Sequence, residues 1–422
     1  MTPAGAGRPL TVTGALLDDE RVGLRCVGGR IEAIGPAVSP APGDEVLDAA
    51  GLLLSPPLVN GHTHAAMTLF RGSGGDLPLM PWLRERIWPV EARLEAEDVY
   101  WGARLACAEM TRSGTTRFWD MYWHPEATAR AVADAGLRAR IGAPLIDLDG
   151  DGAGMREAAL CSLDHLAGLG PAISPALAPH AIYTVSEGSL RWIAGLAAER
   201  GVPIHIHLAE TSQEVQDCVA AHGERPAAYL DRLGMLGERT LLAHGVWLDP
   251  AELDLLAERG ATVVTNPAAN MKLAVGAVFP YPGAREAGVA IGLGTDGAGS
   301  NDSLDLLADL KLFALAQKHA AADPTAIAAA DAWAVATGTR APLLGAAAEP
   351  LAAGAEADFL LLRGDHPELA IGELASNLVY AASGAVVDTT VVAGRVLMRG
   401  GEVPGLEEIV AHARERARRL GL

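Results

Sequence analysis

The stretch LVNGHTHAAMTLFRG, residues 58–72, decides how the rest of the chain is interpreted. Its short apolar start follows two prolines and is typical of a buried strand that runs into a loop. Residues i and i+2 of a strand point to the same face, so His62 and His64 would direct two imidazoles at one point. That is a chelating arrangement, but two hydrogen-bonded polar histidines at a strand end would give the same pattern. The pair alone does not decide between these alternatives.

The composition limits the classes of protein to consider. A chain of 422 residues is long enough for a large barrel or for two domains. Its residues are 50% hydrophobic and 20% charged, which is typical of a globular protein. The net charge of -19 argues against nucleic acid and anionic membranes as partners, because no cationic surplus exists to neutralise phosphates. We therefore expect a small-molecule substrate.

The sequence also predicts a compartment. It shows no charged start followed by a long apolar run, and no uncharged apolar segment long enough to be held in a membrane. Its four cysteines are scattered without a CxxC pair, as expected of reduced and mostly buried thiols. We expect a cytoplasmic protein with no membrane partner, and a homo-oligomer is compatible with the sequence.

Three regions differ in their hydrophobic pattern. Short apolar runs broken by glycines predict antiparallel strands and hairpins in residues 1–55, and similar sequence returns in residues 348–422 before a helical tail. Between them, residues 56–347 alternate short apolar segments with helical segments that mostly end at glycine. Repeated βα units predict an α/β fold, a (β/α)8 TIM-like barrel, with a doubly wound sheet as the second choice. No GxGxxG or Walker A pattern follows a strand, so a nucleotide cofactor is not supported.

Polar residues occur at the ends of several predicted barrel strands. VPIHIHLAE contains His205, His207 and Glu210, TLLAHGVWL contains His244, and VAIGLGTDG contains Asp296. Catalytic groups of such barrels lie where strands end and loops begin. We therefore expect these side chains to meet at one face of the barrel.

A metal site follows from this placement. The predicted metal ligands are His62, His64, His207 and Asp296. Three nitrogens and one oxygen suit one divalent ion, with zinc favoured over Fe²⁺ or Mn²⁺, and they leave a position for water. His205 shares the face of His207 one pleat deeper, so it is interpreted as an interior histidine behind the ligands. Glu210 would accept a proton from water beside the metal, the alternative being an ordinary surface glutamate.

Two absences refine the expected site. The only lysines are Lys272, Lys311 and Lys318, and all three lie after His207. No lysine is therefore available on a middle strand to bridge two metals. A site with one metal ion is therefore expected. The H-x-E and P-C-x-x-C signature of the Cys/His nucleobase deaminases is missing, so deaminase chemistry here would belong to another fold.

With these motifs in this order, the chain resembles the amidohydrolase superfamily. More narrowly it is similar to the 5-methylthioadenosine/S-adenosylhomocysteine deaminase group, and the likeness spans nearly the whole chain. The matching stretches are VNGHTHAAMTLFRG, WPVEARL, DMYWHPEATARAV, APHAIYTVS, HIHLAETSQE, NPAANMKL and GTDGAGSNDSLDLL. The resemblance implies that the two β-rich flanks join as one small composite β-sandwich beside the barrel.

The resemblance also implies roles for residues. The implied metal ligands are again His62, His64, His207 and Asp296. It makes Glu210 the proton shuttle, and His244 and Asp296 would orient the attacking water. Glu91 would contact a pair of sugar hydroxyls, the alternative being a helix-start acid, and His180 would be a second substrate contact.

One departure concerns the tail of the substrate. Ala143 stands where the family commonly has an arginine for the carboxylate of a homocysteine-bearing substrate, and Arg156 is the candidate for a second such arginine. A smaller nucleoside or another amino-heterocycle is therefore expected. Ala269 also replaces a usual serine in NPAAN.

The expected reaction is hydrolytic deamination of an amino-substituted purine nucleoside of the adenosine, 5-methylthioadenosine or S-adenosylhomocysteine type. The alternatives are the same site acting on a guanine-like or formimino compound, on a ring with a leaving group such as halide, or a barrel without catalytic activity. The last is disfavoured because no expected ligand is missing. The segment 70–91, with glycines and two tryptophans, is expected to cover the pocket.

Overall fold

The computed structural model describes residues 8–73, 76–148 and 150–422. The strands are β1 (Leu10–Leu17), β2 (Glu20–Val27), β3 (Arg30–Gly35), β4 (Glu45–Asp48), β5 (Leu52–Ser55), β6 (Leu58–Thr63), β7 (Thr115–Met121), β8 (Arg138–Gly142), β9 (Pro144–Leu145), β10 (Ile173–Pro175), β11 (Ala178–Pro179), β12 (Ile204–Leu208), β13 (Thr240–His244), β14 (Thr262–Thr265), β15 (Ala290–Leu293), β16 (Phe359–Arg363), β17 (Val387–Val392) and β18 (Arg395–Met398).

The helices alternate with the central strands. They are α1 (Leu79–Trp82), α2 (Trp88–Glu91), α3 (Ala96–Arg112), α4 (Pro125–Ala135), α5 (Gly152–Ala167), α6 (Glu187–Arg200), α7 (Ser212–His222), α8 (Pro226–Arg232), α9 (Pro250–Arg259), α10 (Pro267–Lys272), α11 (Tyr281–Ala287), α12 (Leu306–Ala321), α13 (Ala329–Ala336), α14 (Leu374–Tyr380) and α15 (Leu406–Leu420). A π-helical turn, Leu83–Ile87, joins α1 to α2, and 3₁₀ turns span Ala65–Phe70, Pro342–Leu344 and Gly384–Val386.

The central strands are parallel, as predicted for βα units. Hydrogen bonds link β10, β8, β7 and β6 in one run, β11 and β9 in a second, and β12 to β15 in a third. Parallel bridges from Leu177 to Ile204 and from Ala181 to His207 connect the segment around β11, in the second run, to β12 in the third. On the other side, the Asp296 N–H donates to the His62 carbonyl at 3.0 Å, so the loop after β15 lies against β6. The α/β fold class with TIM-type strand order is thus confirmed.

Glycines end several helices where the sequence predicts a stop. Helices α4, α6 and α9 are followed by Gly136, Gly201 and Gly260, whose φ values are +80°, +65° and +70°. This left-handed conformation carries no Cβ penalty at glycine, which is why glycine stops a helix well. The short turns return the chain to the next buried strand.

The two ends of the chain join, as the resemblance implies, and they form one sheet of eight strands, while the sandwich arrangement stays a prediction. The strand order of the sheet is β18-β17-β16-β5-β1-β2-β3, with β4 also paired to β1. The prediction of antiparallel pairing is wrong for β4, which runs parallel to β1, and it is incomplete for β5, which pairs antiparallel with β16 but parallel with β1. A register shift between Val12 and Ala15, at Gly14 with φ +73°, separates the half of β1 that pairs with β4 from the half that pairs with β5.

The predicted boundaries at residues 55/56 and 347/348 stay a proposal, and residues 1–7 of the first region lie outside the described part of the chain. Within the described ranges, every helix is too short or too polar to cross a lipid bilayer.

A buried ion pair ties the terminal sheet to the barrel. Arg138 begins β8, and its guanidinium donates to both carboxylate oxygens of Asp358, at 2.7 and 3.2 Å. The two side chains are only 11% and 8% exposed. Asp358 also accepts the backbone N–H of Ala393 at 2.7 Å. Loss of the guanidinium would leave a buried carboxylate with one remaining donor.

We expect Arg138→Met to lower the free energy of unfolding by about 3–5 kcal/mol, because a buried charge loses its partner. The control is Arg200→Ala, which removes an exposed pair with Asp164 whose side chains are 42% and 56% exposed. That change is expected to cost less than about 1 kcal/mol. Urea unfolding measures both, and equal losses would contradict the importance of the buried pair.

Candidate active site

The predicted site residues meet at the carboxyl ends of the parallel strands. His62 lies in β6 and His64 directly after it, His207 lies in β12, and His244 ends β13. Asp296 follows β15. Because β12 and β13 are in register with His207 opposite Ala243 and Leu208 opposite His244, the histidines of the two strands reach the same end of the sheet.

The approach of β6 to the end of β15 requires residues without side chains. An added Cβ at Gly294 would lie 2.4 Å from Asn266 Oδ1 and 2.9 Å from the His62 nitrogen. One at Gly61 would lie 2.7 Å from a methyl group of Val264. These two glycines allow the backbone contact that brings His62 to Asp296.

The side chains converge on one buried point. Ligand atoms of His62, His64 and His207 all lie within 4.8 Å of one another, and so do those of His62, His244 and Asp296. Asp296 Oδ1 is 3.4 Å from His62 Nε2 and 3.2 Å from His64 Nε2. Four distant parts of the chain therefore supply one cluster of nitrogen and oxygen donors.

Outer hydrogen bonds orient the imidazoles. His64 Nδ1 donates to the Met121 carbonyl at 2.6 Å, and His207 Nδ1 donates to the His180 carbonyl at 2.7 Å. Because a carbonyl can only accept, both rings carry their proton on Nδ1 and leave Nε2 free to bind a metal. His62 Nδ1 pairs with His205 Nε2 at 2.8 Å, which confirms the interior position predicted for His205.

The residues fit a divalent metal ion. His62 Nε2 is buried and has no hydrogen-bond partner, which is unusual for a polar atom unless a ligand completes it. Burial lowers the pKa of His62 to about 4 and the pKa of His207 well below its ordinary value, so both rings are neutral, the state that binds metals. Burial acts to raise the pKa of Asp296, but the imidazoles of His62, His64 and His244 around its carboxylate outweigh that effect and hold the pKa below its usual range. A neutral imidazole set with one carboxylate is a typical zinc-type donor set.

Glu210 and His244 lie beside this cluster. Glu210 Oε2 is 3.9 Å from His244 Nε2, and both side chains are buried. Burial raises the pKa of the Glu210 carboxyl. For His244, burial acts to lower the pKa, but the charges of Glu210 and Asp296 outweigh it and the pKa is raised. Both groups therefore hold a proton more readily than the same side chains in water, which suits a pair that transfers protons.

Asn270 is a site residue that the sequence reasoning missed. Its Oδ1 accepts from His244 Nδ1 at 2.8 Å, which directs His244 Nε2 toward Glu210. A signal was present in NPAAN, where Asn266 and Asn270 are four residues apart and share one helix face.

Backbone strain occurs at three of these strand ends. Ala209, His244 and Asp296 have φ values of +51°, +76° and +63°. Residues other than glycine occupy this left-handed region only when the surroundings hold them there, and such residues cluster at functional sites. The strained turns aim the side chains of the site across the end of the barrel.

A pocket opens onto the cluster, and the empty space in it is about 680 Å³ when its open mouth is included. Three of the four predicted substrate contacts line it, namely Glu91, His180 and Glu210. Burial raises the pKa of Glu91. Arg156 does not reach the pocket, since it donates to Ser189 at 2.8 Å beside α6.

Much of the pocket wall comes from the segment expected to cover it, of which residues 74 and 75 lie outside the described ranges. The side chains of this segment are joined in the pocket wall by apolar side chains from the loops after β7 and β9. The apolar lining includes Trp82, Leu83, Ile87, Trp88, Trp123 and Ile146. A flat, uncharged ligand could stack in such a wall.

Comparisons with known proteins agree with this geometry. The chain is 48% identical to the 5'-deoxyadenosine deaminase of Methanoregula boonei over 89% of this chain and 86% of that protein. It is 44% identical to the 5-methylthioadenosine/S-adenosylhomocysteine deaminase of Moorella thermoacetica, over 92% of each. The crystal structure of an adenosine deaminase from Xanthomonas campestris with bound zinc superposes with a TM-score of 0.91 at 35% identity, over 98% of each chain.

Residues 53–397 match the sequence pattern of the amidohydrolase family, and this range includes every strand-end residue of the site. The chain therefore belongs to the amidohydrolase family.

Proposed function

We propose that this chain is a zinc-dependent deaminase of adenosine-type nucleosides that carry an uncharged 5′ substituent. The observation that carries the proposal is the meeting of a buried imidazole–carboxylate cluster, Glu210 and His244 in one pocket that Glu91 also lines. The names of the similar deaminases support the nucleoside class.

The proposed metal ligands are His62, His64, His207 and Asp296. Zinc is favoured by the donor set and by the zinc in the similar adenosine deaminase structure. When bound, a divalent ion activates water for attack at neutral pH. Hydrogen bonds to Met121, His180 and His205 keep the three rings in place for it.

Glu210 is proposed to move the proton of the reaction. As water adds to the ring carbon that bears the amine, Glu210 takes one water proton and delivers it to a ring nitrogen. His244, held by Asn270, orients the attacking water, and with Asp296 it takes the second proton and passes it to the amine nitrogen. The carbon–nitrogen bond then breaks and ammonia leaves. The raised pKa of Glu210, caused by burial, suits a group that must gain and lose a proton.

Glu91 and His180 are proposed to hold the nucleoside. The Thr184 hydroxyl donates to the Ala181 carbonyl at 3.2 Å, so its oxygen accepts from His180 Nδ1 at 2.9 Å. This fixes the proton of His180 on Nδ1 and leaves Nε2 as a hydrogen-bond acceptor. Glu91, when ionised, can accept from sugar hydroxyls.

The charge of the pocket favours an uncharged 5′ group. Among the described residues that line it, Glu91, Glu210 and Asp296 are acidic, and none is lysine or arginine. The carboxylate of a homocysteine tail would lose its hydration in this pocket without gaining a cationic partner. The apolar side chains of Trp82, Trp88 and Ile146 instead suit a methyl or alkylthio group.

We expect ammonia release to be fastest with 5′-deoxyadenosine and 5′-methylthioadenosine. S-adenosylhomocysteine is expected to have a kcat/KM lower by about 10-fold to 200-fold, equivalent to about 1–3 kcal/mol for an unpaired polar group. Coupled ammonia assays across these nucleosides, adenosine and guanine measure the order. Equal or faster turnover of S-adenosylhomocysteine would contradict the uncharged-substituent preference.

Replacing Glu210 tests the proton step. Glu210→Gln keeps the shape of the side chain but removes its ability to accept a proton, so kcat should fall about 10²-fold to 10⁴-fold with KM little changed. Glu258→Gln is the control, because Glu258 is 70% exposed on α9. Wild-type turnover by Glu210→Gln would show that another group carries the proton.

Metal analysis tests the ligand set. Purified protein should hold one zinc ion per chain, and His62→Ala should abolish stoichiometric binding. His205→Phe should weaken zinc affinity about 10-fold to 100-fold, because His205 only orients a ligand. The control is His222→Ala, since His222 stacks on Tyr229 at the end of α7, away from the cluster. Full zinc content in His62→Ala would rule out the proposed site.

A further inference from the structure

Glu214 is a buried carboxylate that the proposed reaction does not use. It lies in the first turn of α7, is 5% exposed, and turns back toward the strand that precedes the helix. One of its oxygens accepts the backbone N–H of Ala209 and the other accepts that of Glu210, both at 2.9 Å. Its two acceptor atoms are thus directed at the turn that carries Glu210.

That turn is strained. Ala209 is fully buried and has a φ of +51°, a conformation that residues other than glycine rarely adopt. Its carbonyl accepts the N–H of Trp247 at 2.9 Å. The peptide between Ala209 and Glu210 is therefore held from one side by Trp247 and from the other by Glu214.

The neighbouring helix α9 shows the ordinary arrangement for comparison. Glu252, at the corresponding third position of that helix, accepts the N–H of the capping residue Asp249 at 3.1 Å. In α7 the capping residue is Thr211, whose hydroxyl accepts the Glu214 N–H at 3.1 Å. Glu214 does not make the corresponding hydrogen bond to the N–H of Thr211. It reaches past Thr211 to the two preceding residues, so its carboxylate stabilises the strand end and not the first turn of its own helix.

We propose that Glu214 is a positioning residue for the deamination reaction, which fixes the backbone of Glu210 so that its carboxylate faces the substrate ring. The inference rests on the proposed role of Glu210 as the proton carrier. Replacing the Glu214 carboxylate by an amide sets an NH₂ group against one of the two backbone N–H donors. The turn then loses a hydrogen bond, and Glu210 moves from its place in the pocket.

The test uses the full-length, zinc-loaded enzyme with 5′-deoxyadenosine as substrate. Glu214→Gln is expected to lower kcat about 10²-fold, the loss typical of a catalytic group displaced by about 1 Å, with KM and zinc content close to wild type. Glu252→Gln is the matched control, since it removes a buried, backbone-binding glutamate that is 3% exposed. It should lower the thermal midpoint while leaving kcat near wild type.

A double-mutant cycle separates positioning from general stability. If Glu214 acts through Glu210, adding Glu214→Gln to Glu210→Gln should cause no further loss of kcat. A loss that multiplies in the double variant, or an unchanged kcat in Glu214→Gln, would overturn the proposal. Full activity of Glu210→Gln would instead refute the proposed proton carrier, whatever Glu214 does.

Glu214→Asp covers the case in which the Gln variant does not fold. It keeps the charge but shortens the side chain by one methylene, so it cannot reach both N–H groups in their present places. We expect a partial loss of kcat at unchanged KM. A folded Asp variant with wild-type kcat would overturn the positioning role.

Discussion

The site depends on the close approach of β6 to the loop that follows β15. A hydrogen bond from Asp296 N–H to the His62 carbonyl joins the two backbones, and Asn60 reinforces it by accepting from the Thr295 N–H at 3.1 Å and donating to the Thr295 hydroxyl at 2.7 Å. Gly294 makes the approach sterically possible. Without this contact the first and last strands of the barrel would not share one cluster of ligand atoms.

Holding polar groups together in a buried place has a cost that the surrounding structure must offset. Here the offset comes in part from buried acids and amides that hydrogen-bond to the loops and strand ends around the site. Asp309 on α12 is fully buried, accepts the Ala268 N–H at 3.0 Å and accepts from Asn301 at 2.8 Å. It thereby links the loop after β15 to α10, the helix whose Asn270 orients His244. Glu214 has the same function at the end of β12.

Strands, helices and ligand spacing were predictable because they follow from local patterns. The period of the apolar residues gave the βα units, and His62 and His64 could be placed on one face from their spacing alone. The parallel pairing of β4 and β5 with β1 was not predictable, since a short apolar run does not show the direction of its partner. Arg156 was a candidate substrate contact by resemblance, but its partner Ser189 is 33 residues away and could not be read from sequence.

The supporting residues were the least predictable. Glu214 has the spacing of an ordinary helix-capping acid, and only the fold shows that it turns to Ala209 and Glu210 instead. The positive φ of His244 and Asp296 likewise results from tertiary contacts, because neither residue type demands it. Local sequence thus indicates which side chains are available for chemistry, and long-range contacts decide how they are aimed.

The shared metal site can be tested by anomalous diffraction at the zinc edge from crystals of the zinc-loaded protein. We expect one strong peak per chain, about 2.0–2.2 Å from nitrogens of His62, His64 and His207 and from a carboxylate oxygen of Asp296. A zinc peak elsewhere on the chain, or one that lacks His62 and Asp296 as ligands, would contradict it.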